Sequence, residues 1–91
     1  PLSGAMRLDL RGATLLPGLV DCHVHVIATM VNVGANALLP DALVAHRAAR
    51  IMRGMLMRGF TTVRDLGAAA IGLRLAWEEG PFEGPRLVLC G

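Results

Sequence analysis

The chain contains no lysine: all nine of its positive charges are arginine, set against seven acids for a formal net charge of +2. It holds three aromatic residues, Phe60, Trp77 and Phe82, and they are scattered. Binding to nucleic acid calls for a clustered basic face with aromatic or motif support. No basic run occurs here, so no nucleic-acid partner is expected despite a pI near 9.1. Arg47, Arg50, Arg53 and Arg58 fall within one helical stretch and read as a solvated outer face. Charge of both signs is scarce, at 18% of residues. With 54% hydrophobic residues and a mean hydropathy of +0.54, disorder is excluded as a default. Two cysteines, Cys22 and Cys90, are too few for a disulfide scaffold and point to a reduced, cytoplasmic setting. No signal peptide is recognisable at Pro1-Leu2-Ser3-Gly4. The longest weakly polar stretch, 24–40, is interrupted by His25, Asn32, Gly34 and Asn36 and falls short of a membrane span. Repeats and low-complexity tracts are also missing.

Ninety-one residues allow one small core. Their order of elements is legible. Residues 6–16, MRLDLRGATLL, alternate loosely around Gly12 and predict one or two short strands. After Pro17-Gly18, residues 19–27 form a β-rich run. Val20, Cys22, Val24 and Val26 share an apolar face, which packs Cys22 with the valines. Leu19, Asp21, His23 and His25 share the other face. Residues 28–39 make a long connection in which Asn32 and Asn36 line a pocket or serve turns. Pro40-Asp41 starts a helix. Val44, Ala48, Ile51, Met52, Met55 and Leu56 recur at helical spacing through Arg58, with Met52, Met55 and Met57 as core filler. Gly59 suits a left-handed cap. His46 falls on the outer face of this helix. Phe60–Asp65 is a second strand, 66–70 a small-residue loop, Ile71–Glu79 a short helix closed by Gly80-Pro81, and Arg86–Cys90 a third strand.

Strand, helix, strand, helix, strand predicts an α/β fold with a parallel sheet. Three such strands leave two open edges and a bare polar face. A segment of a closed (β/α)8 barrel, or assembly with further copies, would cover them. Two histidines at i and i+2, His23 and His25, project from one face at the C-terminal end of the first strand, where barrel active sites lie. Imidazole nitrogen is a common ligand for zinc and similar ions, although a catalytic zinc takes three protein ligands. Asp21 shares that face; it orients a histidine or ties down backbone. Alternation alone leaves open whether Thr62 and Arg64, or Thr61, Val63 and Asp65, face the site. Asp65 is accordingly a candidate for a substrate or supporting role. Arg64 suits a substrate carboxylate or an internal salt bridge.

The run Leu16-Pro17-Gly18-Leu19-Val20-Asp21-Cys22-His23-Val24-His25 resembles the first barrel strand of the amidohydrolase superfamily. Gly59-Phe60-Thr61-Thr62-Val63-Arg64-Asp65-Leu66-Gly67 is similar to the second strand of one branch, and Gly84–Gly91 to its third. That branch holds imidazolonepropionase-like enzymes and metal-dependent dipeptidases of the Xaa-Pro or Xaa-Arg type. The resemblance covers about residues 10–91 and implies an N-terminal fragment of a metal-dependent hydrolase. It implies a partial (β/α)8 TIM barrel over 17–91, preceded at 1–16 by the end of a small β-sandwich domain. It further implies cleavage of an amide, dipeptide or related C–N bond by metal-activated water, with His23 and His25 on one of one or two divalent ions, usually zinc. The family's bridging lysine, two further histidines and late-strand aspartate have no counterpart here, so no catalytic residue is assigned within the chain. A small-molecule or dipeptide substrate and a homo-oligomer are expected, without a membrane partner. The competing expectation is a truncated, non-catalytic module that self-associates.

Overall fold

In the computed structural model, residues 3–67, 71–80 and 82–90 are described. Three strands, β1 (Leu19–Val24), β2 (Phe60–Asp65) and β3 (Arg86–Leu89), form one parallel sheet in the order β1-β2-β3. Helices α1 (Val33–Asn36) and α2 (Asp41–Met57) lie between β1 and β2, and α3 (Ile71–Glu79) lies between β2 and β3. The bounds of β2 and α3 are those expected from the sequence. Part of the 66–70 loop, residues 68–70, lies outside the described residues, as does Pro81.

Strand order follows chain order, and both longer helices stack on one face: α2 on β2, α3 on β3. The core on that face joins Val24, Val26, Val63 and Leu87 to Ala48 and Met52 of α2 and Leu73 of α3. Phe60, Phe82, Met55 and Leu89 pack at its margin. Helix α2 begins after Pro40 and ends where Gly59 takes φ +94°, the left-handed cap that glycine adopts without a Cβ penalty. Met57 departs from expectation: it is exposed, because five residues past Met52 the helix has turned it away from the face that carries Ala48, Met52 and Met55. Among the described residues, no helix is long and apolar enough to cross a membrane.

Residues 6–16 form no strand. Arg11 and Gly12 have φ of +48° and +81°, and the Ala13 amide donates to the Leu10 carbonyl at 2.9 Å. Two left-handed central residues closed in this way are the turn that connects β-hairpins. A two-stranded hairpin is marginal without a third strand or an apolar layer behind it. Met6, Leu8, Leu10, Leu15 and Leu16 are all exposed, so here the turn forms and the ladder does not.

Cys22 is also exposed rather than packed. Among the described residues no helix packs closely on its half of β1, and neighbouring Val20 is 61% exposed for the same reason. Uncovered surface is general. The chain exposes 7043 Å², whereas a free-standing domain of this mass exposes about 5,100 Å².

Candidate functional site

The run expected to extend to Ile27 stops as a strand at Val24. Two register shifts disturb the β1–β2 pairing, one between Leu19 and Val20 and the other between Asp21 and Val24. Irregularities of this kind bend a strand and re-aim its side chains. At the second, the Asp21 carboxylate accepts the His23 backbone amide at 3.0 Å. Of the two roles open to Asp21, the one observed is that of tying backbone.

His23 and His25 emerge together. Their Nε2 atoms lie 3.3 Å apart and their rings meet edge to face, with centroids 5.2 Å apart and planes at 79°. Both side chains are exposed on the sheet face away from the helices, while the interleaved Val24 and Val26 are buried toward them. Two nitrogens each about 2.0–2.1 Å from one tetrahedral zinc stand about 3.3–3.4 Å apart, so the donor pair has the bite of a chelate. No group of three potential ligands from His, Cys, Asp and Glu occurs among the described residues. A complete zinc site would draw its remaining ligands from elsewhere.

Burial settles which β2 side chains share that face. Val63 and Asp65 are buried on the helix side, so Thr62 and Arg64 lie on the histidine side. Arg64 is exposed and makes no ion pair among the described residues, so the internal salt bridge expected as one alternative is not formed there. Asp65 is 1% exposed. Its Oδ2 accepts the Val26 amide and its Oδ1 the Gly67 amide, both at 2.6 Å. Its carbonyl accepts the Cys90 amide at 3.2 Å and the Cys90 thiol at 3.4 Å. One residue thus ties the C-terminal ends of all three strands.

Beyond β1 the chain turns sharply, with the Ala28 amide donating to the His25 carbonyl at 3.1 Å. Asn36 fastens the following loop. Its Oδ1 accepts both the amide and the hydroxyl of Thr29, and its Nδ2 donates to the Ile27 carbonyl. Asn32 caps α1 through the Ala35 amide. Both asparagines therefore serve turns. His46 is exposed on α2, as expected.

Gly67 was not singled out by sequence reasoning. A Cβ there would stand 3.0 Å from His25 Nδ1 and 3.1 Å from Asp65 Oδ1. The only signal was a glycine two residues after a strand-ending acid. Gly18 has a comparable constraint, since a Cβ on it would collide with the Thr61 side chain.

The amidohydrolase family profile matches residues 14–91. Three solved structures are similar over essentially the whole chain. A prolidase complexed with N-methylphosphonate-L-proline has a TM-score of 0.91 and 47% identity, covering 100% of this chain and 22% of that one. A structure described as an uncharacterized protein has the same score and identity, with 100% and 23% coverage. An amidohydrolase has a TM-score of 0.91 and 52% identity, with 98% and 22% coverage. The chain therefore spans less than a quarter of the length of these relatives. No curated protein matches it.

Proposed function

The chain belongs to the amidohydrolase family, and on that premise we propose that it is the part of a metal-dependent hydrolase that contributes His23 and His25 to a divalent cation, zinc by preference. The observation that carries this reading is the 3.3 Å separation of the two Nε2 atoms. Each ring presents the nitrogen remote from its own backbone, and His25 Nδ1 is turned toward Gly67. The bound ion would lower the pKa of a water molecule toward neutrality and polarise the scissile carbonyl. The chain's own part is to hold two imidazole donors side by side and keep them on the open face of the sheet. One ion or two, completed by ligands outside the chain, are both compatible with this role. A cytoplasmic setting, consistent with two free cysteines, and a homo-oligomeric state belong to the same proposal.

For the substrate we propose an amide, dipeptide or related C–N bond, on the strength of the similar prolidase and its proline-containing ligand. Arg64 supports a dipeptide with a free carboxylate, because its guanidinium is unpaired among the described residues and shares the histidine face. In the intact enzyme, Arg64→Met is expected to raise KM about 10-fold or more for carboxylate-bearing dipeptides, the size of one charge-assisted hydrogen bond. Amidated substrates should be little affected. Equal loss on both substrate types would remove Arg64 from this role.

The primary test is metal content. The intact protein purified without chelators should carry zinc in stoichiometric amount, and His23→Ala or His25→Ala should reduce it to a fraction. Full zinc content in both variants would sink the proposal. A second reading, a non-catalytic module that self-associates, is favoured by the apolar residues left exposed, among them Leu19, Val20, Val31 and Leu75. Large assemblies of the 91-residue chain without bound metal would support that alternative.

A further inference from the structure

His25 stands one residue beyond the end of β1, where the ladder no longer holds the backbone. A ligand in that position would swing unless something else fixed it. Three contacts do so. The Leu66 amide donates to the Val24 carbonyl at 3.1 Å, just before His25. The Val26 amide, just after it, donates to Asp65 Oδ2 at 2.6 Å. The other oxygen of the same carboxylate draws in the Gly67 amide, also at 2.6 Å. That last bond places the Gly67 backbone beside the imidazole, where there is no room for a Cβ without pressing on Nδ1.

We propose that Asp65 and Gly67 are positioning residues that aim His25 Nε2 at His23 Nε2. The inference rests on the metal-site reading for its purpose, although the geometry it describes is independent of any ion. Asp65 acts through backbone rather than through the ring. An ionised carboxylate can accept two amides at once, one from each strand end. Asparagine in its place keeps one acceptor and turns an NH2 group toward the other amide. The side chain is buried, so water does not replace the lost bond. Gly67 acts by absence of bulk. Its φ is not in the left-handed region, so alanine there is penalised by contact with His25 and Asp65 and not by backbone strain.

The test uses the intact protein and three variants: Asp65→Asn, Gly67→Ala and, as a control, Leu87→Ala. Leu87 belongs to the core on the opposite face. Zinc affinity is measured by competition with a chromogenic chelator. Asp65→Asn and Gly67→Ala are expected to weaken it about 10- to 100-fold, the usual effect of losing an outer partner of a metal ligand. Leu87→Ala should lower the melting temperature and leave zinc affinity unchanged. The second readout is the NMR signal of the His25 ring in metal-free protein, which should be single in the parent and broadened or doubled in the two positioning variants. Wild-type zinc affinity together with an unaltered His25 signal in Gly67→Ala would overturn the proposal, even if Asp65→Asn failed to fold. A parent protein that binds no zinc, but whose His25 signal responds to both substitutions, would refute the metal reading and uphold the positioning role.

Discussion

Alanine at both His23 and His25 is expected to lower kcat/KM of the intact protein by at least about 10³-fold on the proposed metal role. The magnitude follows from what the pair would support as ligands of the proposed ion. A metal that polarises a carbonyl and delivers hydroxide near neutral pH supplies several kcal/mol of transition-state stabilisation, and each 1.36 kcal/mol is tenfold in rate, so about 4 kcal/mol gives three powers of ten. Single replacements should cost less in affinity than the pair, since one ring retains a hold alongside the ligands supplied from outside the chain. The two losses should also be less than additive, because removing either ring would disrupt the same proposed site. Steady-state kinetics with a dipeptide substrate measures this directly. A double variant within about tenfold of the parent would show that the imidazoles serve some other end.

Met52→Ala is expected to destabilise the protein by about 2–5 kcal/mol. Met52 is fully buried in the core shared by sheet and helices. A Cβ on Gly84 would lie 3.2 Å from Met52 Cβ and 3.3 Å from its terminal methyl, which shows how closely the loop before β3 is laid over this side chain. Truncation removes the thioether contacts and leaves a cavity that Gly84, having no side chain, cannot fill. By contrast, breaking the Arg53–Glu83 ion pair should matter little. It is short, at 2.6 Å, but its partners are 59% and 69% exposed, and exposed pairs contribute about 0–1 kcal/mol. Urea unfolding of Met52→Ala beside Glu83→Gln checks the ranking, and a loss below about 1 kcal/mol for the methionine would contradict it.

The elements that were legible in the sequence are those whose signals are local. Helix α2 declares itself through Pro40-Asp41, apolar residues at helical spacing and Gly59. Strand β2 is a β-branched run bounded by that glycine. The histidine pair is legible for the same reason, since alternation places positions 23 and 25 on one side. What was not legible depends on neighbours. Period-two reasoning divided Thr62 and Arg64 from Val63 and Asp65 but could not say which pair met the helices; the packing of α2 on β2 decides it. Asp65 therefore looked like a candidate to meet substrate, whereas its carboxylate is spent on two backbone amides from different segments. Cys22 and residues 6–16 misled in the opposite direction. Their patterns are those of packed strands, but among the described residues no helix packs closely on β1 at Cys22, and no third strand lies beside the segment around Gly12.

The β1-β2-β3 order carries a consequence for how the protein is made. Among the described residues, each strand pairs with the strand that precedes it in the chain. Closing a loop of this size costs only a slowly growing entropy, and neighbour-by-neighbour pairing keeps contact order low for a parallel sheet. The Asp65 clamp is complete on its β1 side as soon as β2 is laid down. The two amides that fix the His25 end of β1 through Asp65 are thus both in place by Gly67.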